Sequence, residues 1–556
     1  MAAPTTSRRP RMRARALVIA AAFAVAIPAN ALGVSASYMV PTGLVAGVTF
    51  TPLVNSGEEL FGVTFEGLPD GIGVVPGPGA SPTYVDLYVN HEQSHVPFGL
   101  NANSVYADGL GIDDPHDSSV TRVRVRLSDK AIIDMEEVLP GSAGFIRFCS
   151  STIVSGNGFT NPVLFTNEES NDVLPVPAGA TYGADPSVTP NRQAGYTVAL
   201  DTVTGEYKPI PGMGRHNHEN QVLVPGGWKN HLAFLSGDDT FSAPGSQLYM
   251  YLAGSAADVL NDNGHLYALR ITAADGVKVA PGNRFNGAND YLDLTLGHTF
   301  SGKFIQVPDE IADGTTAELP QTALENWSNQ NNVFQFIRVE DIAYDPDSPR
   351  TVYFADTGAT VAPNPATGRL QAGTVSPTPP LPGQVGQRGR VFKMVMNATD
   401  PKVVDSLTVF ADGNNTAVSN FNRPDNIAVG QRSIMIQEDT SNSRLWMYSF
   451  ETGLWTAVAR VDTNPGDTTN DPGENSGIID MSQWIGEPGW WALDVQAHQD
   501  TNTANPTIHP DESLDGTFHT WDGGPVPPGP VIPPGGASYR YHRENGQLLL
   551  IYVPGS

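Results

Sequence analysis

Apolar residues along this chain come in short runs that end in polar or acidic pairs and are separated by Gly, Pro, Asn and Asp. Such runs predict strands, and helical periodicity is scarce. Six runs share a form: "YVDLYVNHE", "PVLFTNEES", "HLAFLSGDD", "TVYFADTG", "SIMIQED" and "WWALDVQAH". They recur at intervals of about 60 to 120 residues, a spacing that suits four-stranded blades with loop insertions. The expected fold is all-β: a single large β-propeller, six-bladed, with loop insertions.

The segment before each run carries more chemistry. These segments read "LPDGIGVV", "RFCSSTIV", "NHENQVLV", "RVEDIAYD", "RPDNIAVG" and "GENSGIID". Each offers a side chain able to bind a metal, then a small or polar residue, then a short apolar strand. Aligned in this way, Asp70, Cys149, Glu219, Glu340, Asp425 and Glu474 take one equivalent position. In a propeller that position rings the central channel, so five carboxylates and one thiol would face each other. Like charges so close cannot all stay ionised without compensation. Carboxylates suit calcium, whereas a thiolate beside them implies a transition metal. Ordinary turn chemistry at the acids, and an inert buried Cys149, is the plainer alternative. The coincidence of the thiol with five acids sets the metal-filled channel level with that alternative.

Charge and composition narrow the partners. The net charge is −27, from 58 Asp and Glu against 31 Lys and Arg. Such a surface repels nucleic acid and anionic lipid and favours divalent cations. The N-terminus holds five arginines and no acid, then the apolar run "ALVIAAAFAVAI" and small residues spaced for cleavage. This is the form of a signal peptide over residues 1–36, followed by one propeller domain over 37–556. The twin Arg8–Arg9 suggests export of an already folded chain. The expectation is a secreted or periplasmic protein, monomeric and without stable membrane association. Cys149 is the only cysteine, and a lone thiol in an oxidising compartment calls for burial or a metal.

Several motifs stand in a fixed order: "VNHE" (89–92), a Cys followed by a strand ending "TNEE" (166–169), "GRHNHE" (214–219), "RVED" (338–341) and "RPDN" (423–426). Together they resemble the PhoX-type secreted alkaline phosphatases. "SGIIDMSQWIGEPGWWALDVQAH" (476–498) and "RENGQLLLIYVPG" (543–555) are similar to segments of longer members. The resemblance implies a six-bladed propeller with a calcium–iron cluster (Ca2+ and Fe3+) in its channel, hydrolysing small phosphomonoesters. It implies that Cys149 is an iron ligand and Glu169 a cluster carboxylate. Glu219, Glu340 and Asp425 would hold iron or calcium, and Glu92 a further calcium. Arg338 would face the substrate phosphate. Two departures stand out: "RFCSSTIVSGNG" differs from the family's stretch around its Cys, and "RVED" lacks the proline of the usual Arg-Pro-Glu-Trp.

His91, His216 and His218 lie inside motif segments and His498 ends the last run. They are expected to orient carboxylates or to act as acids. No Gly-x-Ser-x-Gly elbow or Gly-Lys-Ser/Thr loop is present, which disfavours serine hydrolases and nucleotide-driven enzymes. Two other readings stay open: a calcium-only propeller hydrolase of phytase-like or lactonase-like type, and a non-catalytic propeller stapled by metals. The acid-rich loops 111–119 and 464–475 read as solvated turns. The proline-rich stretches 375–383 and 523–536 read as surface insertions.

Overall fold

The computed structural model describes residues 36–56, 58–92, 118–175, 191–240, 245–279, 290–363, 370–372, 388–462, 473–498 and 544–556. The expected signal peptide, both proline-rich stretches and most of the two acid-rich loops lie outside these residues. Ala36–Ser556 forms one unit.

Antiparallel strands dominate. Each of the six sequence segments opens an inner strand: Pro69–Pro76, Phe148–Val154, His218–Val224, Val339–Asp345, Pro424–Val429 and Glu474–Asp480. Each pairs with the apolar run that follows it and, through that run, with two further strands. Six four-stranded antiparallel units result among the described residues. The third and fourth are joined edge to edge by Phe300–Gln306, which pairs with both outer strands. Branched and aromatic residues at successive positions, as in Leu248–Ala253, let each sheet bury both faces against its neighbours.

The hydrophobic cores show how the units are arranged. One core joins the first sheet to the second (Tyr88, Val120, Phe148, Leu164). Others join the second to the third, the third to the fourth, the fourth to the fifth and the fifth to the sixth. The last returns from the sixth to the first, packing Ala492, Leu548 and Leu550 on Ile72, Val85 and Leu87. The inner strands also pack side by side in this cyclic order. This is the expected all-β, propeller-like arrangement. It closes through the N-terminal segment, because Thr49–Asn55 supplies the fourth strand of the last sheet by pairing with Glu544–Tyr552.

All six inner strands share an irregularity. The ladder shifts register between Pro69 and Ile72, and at the matching place in every other sheet. A bulge re-aims a side chain, and here six bulges act at one level of the channel. The backbones are crowded there. A Cβ on Gly71 would lie 2.2 Å from the backbone N of Ser151, and one on Gly477 2.5 Å from the carbonyl O of Asp70.

Candidate metal centre

The bulges gather the predicted donors. Potential ligand atoms of Asp70, Glu92 and Cys149 lie within 4.8 Å of one another, as do those of Cys149, Glu169 and Glu219, and those of Glu219, Glu340 and Asp425. The three groups share Cys149 and Glu219, so the donors run continuously around the channel. Cys149 Sγ lies 3.3 Å from Glu219 Oε1 and 3.4 Å from Asp70 Oδ2. Every metal position expected from the sequence is in this assembly.

The sixth segment needs correcting. Its ladder pairs Ser476 with Asp494 and Ile478 with Leu493, which matches Ile72 opposite Val89 in the first sheet. Ser476, not Glu474, therefore holds the slot of Asp70, and Glu474 holds the slot of Leu68. Ser476 Oγ donates to Asp70 Oδ2 (2.6 Å) and to Asn426 Oδ1 (3.0 Å).

A second ring, only partly foreseen, sits where each run ends: Glu92, Glu169, Asp239, Thr357, Asp439 and Gln496. In the first five the backbone N–H donates to the carbonyl of Leu68, Arg147, Asn217, Arg338 or Arg423 across the hairpin. The sequence pattern singles out neither Asp239 and Asp439, although "GDD" and "QED" end on them, nor Thr357 and Gln496. Asp239 accepts from Arg338 Nε at 2.9 Å and Nη2 at 3.0 Å, and Asp439 accepts from Nη1 at 3.4 Å. Arg338 is thus held at the ring it was expected to serve, 3.4 Å from Glu340 Oε1. Neutral groups orient the other acids: Thr357 donates to Glu340, and Gln496 Nε2 to Asp70 Oδ2 (2.9 Å) and Glu92 Oε1 (2.7 Å).

The histidines do not fill this role. His218 bonds Ser236 and the Gly214 carbonyl, and His216 contacts Ser236 and stacks on His218 at 3.6 Å. Burial holds both below the usual imidazole range, His218 at about 4, so they form a neutral support beneath Glu219. His91 packs edge-on against Phe65 and meets Thr121 Oγ1 at 3.0 Å. The side chain of His498 lies outside the described residues.

Electrostatics shows what the ring lacks. Burial, then the neighbouring acids, pushes Asp70, Glu169, Glu219 and Asp425 well above the carboxylate range. Glu340 is raised likewise, against the pull of Arg338, and Cys149 is raised by burial, Asp70 and Glu219. Asp439 is the exception: burial is its largest single influence, but Arg338, a hydrogen bond with Glu474 and the charge of Arg423 together hold it low. Asp70 Oδ1 is buried with no hydrogen-bond partner among the described residues. Buried acids in such numbers call for cations or protons. Hard oxygens beside one soft sulfur fit a mixed set of metals.

The family profile described as "Alkaline phosphatase PhoX" matches residues 164–481. The match spans more than half of the 556-residue chain and takes in Glu169, Glu219, Arg338, Glu340 and Asp425. The chain belongs to the PhoX alkaline phosphatase family. Membership makes the protein a metal-dependent phosphatase, with the acidic groups above as the places that can bind the metal. No curated protein matches the chain. Among solved structures it is similar to the beta-propeller domain of Cps50 (Swd1) from Myceliophteria thermophila, at 10% identity, covering 76% of this chain and 95% of that one, TM-score 0.28. It is also similar to the Dos1 propeller, at 9% identity, covering 90% and 95%, TM-score 0.28.

Proposed function

We propose that the protein is an exported phosphatase that hydrolyses phosphomonoesters at a centre of calcium and iron in the propeller channel. The observation that carries this is the placement of Cys149, the single thiol, in one ring slot with four carboxylates of a PhoX family member. Cys149, Glu169 and Glu219 are the residues to hold iron, since they surround the one soft donor. Glu340 and Asp425 extend the oxygen-rich arc, and Glu92 with Asp70 offers calcium a site on the other side of the thiol. Once bound, the metals stabilise charge on the phosphoryl oxygens and supply a nucleophile at neutral pH.

The chain's own contribution is positioning. Asp239 grips the Nε–Nη2 edge of Arg338 and Asp439 meets Nη1 at 3.4 Å, which fixes the guanidinium at the ring where a phosphoryl oxygen would meet it. Thr357 keeps Glu340 fixed beside it. Buried walls exclude bulk water, so each charge–charge contact counts for more than at the surface.

Metal analysis of protein purified without chelators, beside hydrolysis of para-nitrophenyl phosphate by wild type and Cys149→Ala, tests the reading. Iron with calcium, and activity lost with the thiol, is the expected result. Calcium alone with full activity in Cys149→Ala would sink it in favour of a calcium-only hydrolase. Mass determination of the N-terminus of protein recovered outside the cytoplasm tests export, with cleavage after Ala31 or Ala36 expected.

A further inference from the structure

One slot of the repeat carries more positive charge than the metal centre uses. The residue two places before each inner-ring donor is Leu68, Arg147, Asn217, Arg338, Arg423 or, by the corrected register, Glu474. Leu68, Arg147, Arg338 and Arg423 all adopt the left-handed backbone conformation, with φ of 44°, 45°, 63° and 52°. Each carbonyl accepts from the backbone N–H of Glu92, Glu169, Thr357 or Asp439, so the hairpin sets this geometry and places the three arginines alike beside the ring.

The three are not equally engaged. Arg338 is tied to Asp239 and Asp439. Arg147 Nε is buried and has no hydrogen-bond partner among the described residues. Glu169, Glu92 and Asp172 act on its charge, yet none of them forms an ion pair with it. Arg423 is exposed. In a chain with 31 basic residues against 58 acidic ones, three arginines in equivalent slots stand out among the acids of this channel level.

We propose that Arg147 and Arg423 are specificity-determining residues that select phosphate esters carrying a second anionic group. This rests on the phosphomonoesterase reading above: the phosphoryl group meets Arg338 and the metal ring, and the second anion meets Arg147 or Arg423. A guanidinium fork suits a carboxylate or a second phosphate equally.

Glycerol 3-phosphate and 3-phosphoglycerate are a matched pair, of similar size, and only the second carries a carboxylate. Holoenzyme should favour 3-phosphoglycerate in kcat/KM by about tenfold, a ratio in the range of one charge-assisted contact. The ratio should fall towards one in Arg147→Gln, fall partly in Arg423→Gln and recover in part in Arg147→Lys. Calorimetric binding of the same two compounds, on variants whose melting temperatures match wild type, gives a readout independent of turnover. Equal kcat/KM and affinity for the pair in wild type, or a preference that survives in both glutamine variants, would overturn the proposal. Arginine-dependent binding without hydrolysis of either ester would uphold the anion site and remove the phosphatase reading instead.

Discussion

The same six inner strands carry two different kinds of surface. At one end the bulges turn Asp70, Cys149, Glu219, Glu340 and Asp425 towards each other. Beyond the bulge the strands continue as Ile72, Val74, Val222, Ile342, Ile427 and Ile478, which line a cavity of about 860 Å³. A polar layer lies at the boundary: Asn220 donates to Asp341 and to the Ile342 carbonyl, and Asn426 donates to Ser150 Oγ at 3.0 Å. A strand pattern that buries branched aliphatics holds the scaffold rigid, and a single register shift then exposes the next side chains to different chemistry. Stability sits at one end and function at the other. That division can be broken by experiment.

The largest effect belongs to Glu219, the carboxylate shared by two groups. Glu219→Ala should lower kcat by at least about 100-fold and release metal, since even residues that only support ligands cost about 10–100-fold when lost. Unaltered metal content and activity would separate the ring from the chemistry. Arg338→Gln should cost about 100-fold in kcat/KM, in the range for removing one charge-stabilising donor. Metal content should stay at the wild-type level, because the arginine is no ligand.

The third prediction concerns protons. In metal-stripped protein the folded-state pKa values of the ring carboxylates are raised above their unfolded values, by burial and by one another. The folded state then binds more protons than the unfolded one, so stability is fullest below pH about 4 and is lost as pH rises through the folded pKa values. Asp341, which burial raises to about 7, adds to that loss between its unfolded value and about pH 7 and nothing further above it. Denaturant melts of the stripped protein from pH 5 to 8 should fall steadily, and reloaded protein should show a much weaker slope. A stripped protein that gains stability with pH would contradict the assignment of these acids as cation-compensated.

The aliphatic end should respond differently. Ile427→Ala removes a side chain that is 2% exposed and should cost about 2–4 kcal/mol of stability. Turnover per folded, metal-loaded molecule should hold. Ser476→Ala deletes one hydrogen bond to Asp70 and should cost only about 1 kcal/mol, read from a melt of the loaded protein.

Much of this was legible before any coordinates. Cys149 and four acids were found in one slot because the segments keep the same offset from slot to apolar run. The sixth segment was misphased because Glu474 looked like the missing acid, while the bulge at Gly477 shifts the ladder and gives the slot to Ser476. Asp239 and Asp439 were passed over because their role depends on where each hairpin closes, which only strand pairing reveals. The shared arginine two places before the donor was visible in "RFC", "RVE" and "RPD". Its meaning depends on strand pairing, which sets that slot beside the ring and leaves Arg147 Nε without a hydrogen-bond partner among the described residues.

Closure of the last sheet by Thr49–Asn55 against Glu544–Tyr552 has a consequence in time. Residues separated by almost the whole chain must meet before the circle exists, and contacts of such high sequence separation are slow to form. Glu544–Tyr552 carries Leu548 and Leu550, which add to the packing of the sixth sheet on the first. Shortening the chain before Glu544 should therefore loosen the seam that holds Ser476 and Gln496 against Asp70 and Glu92, read as weaker metal binding while much of the β structure remains.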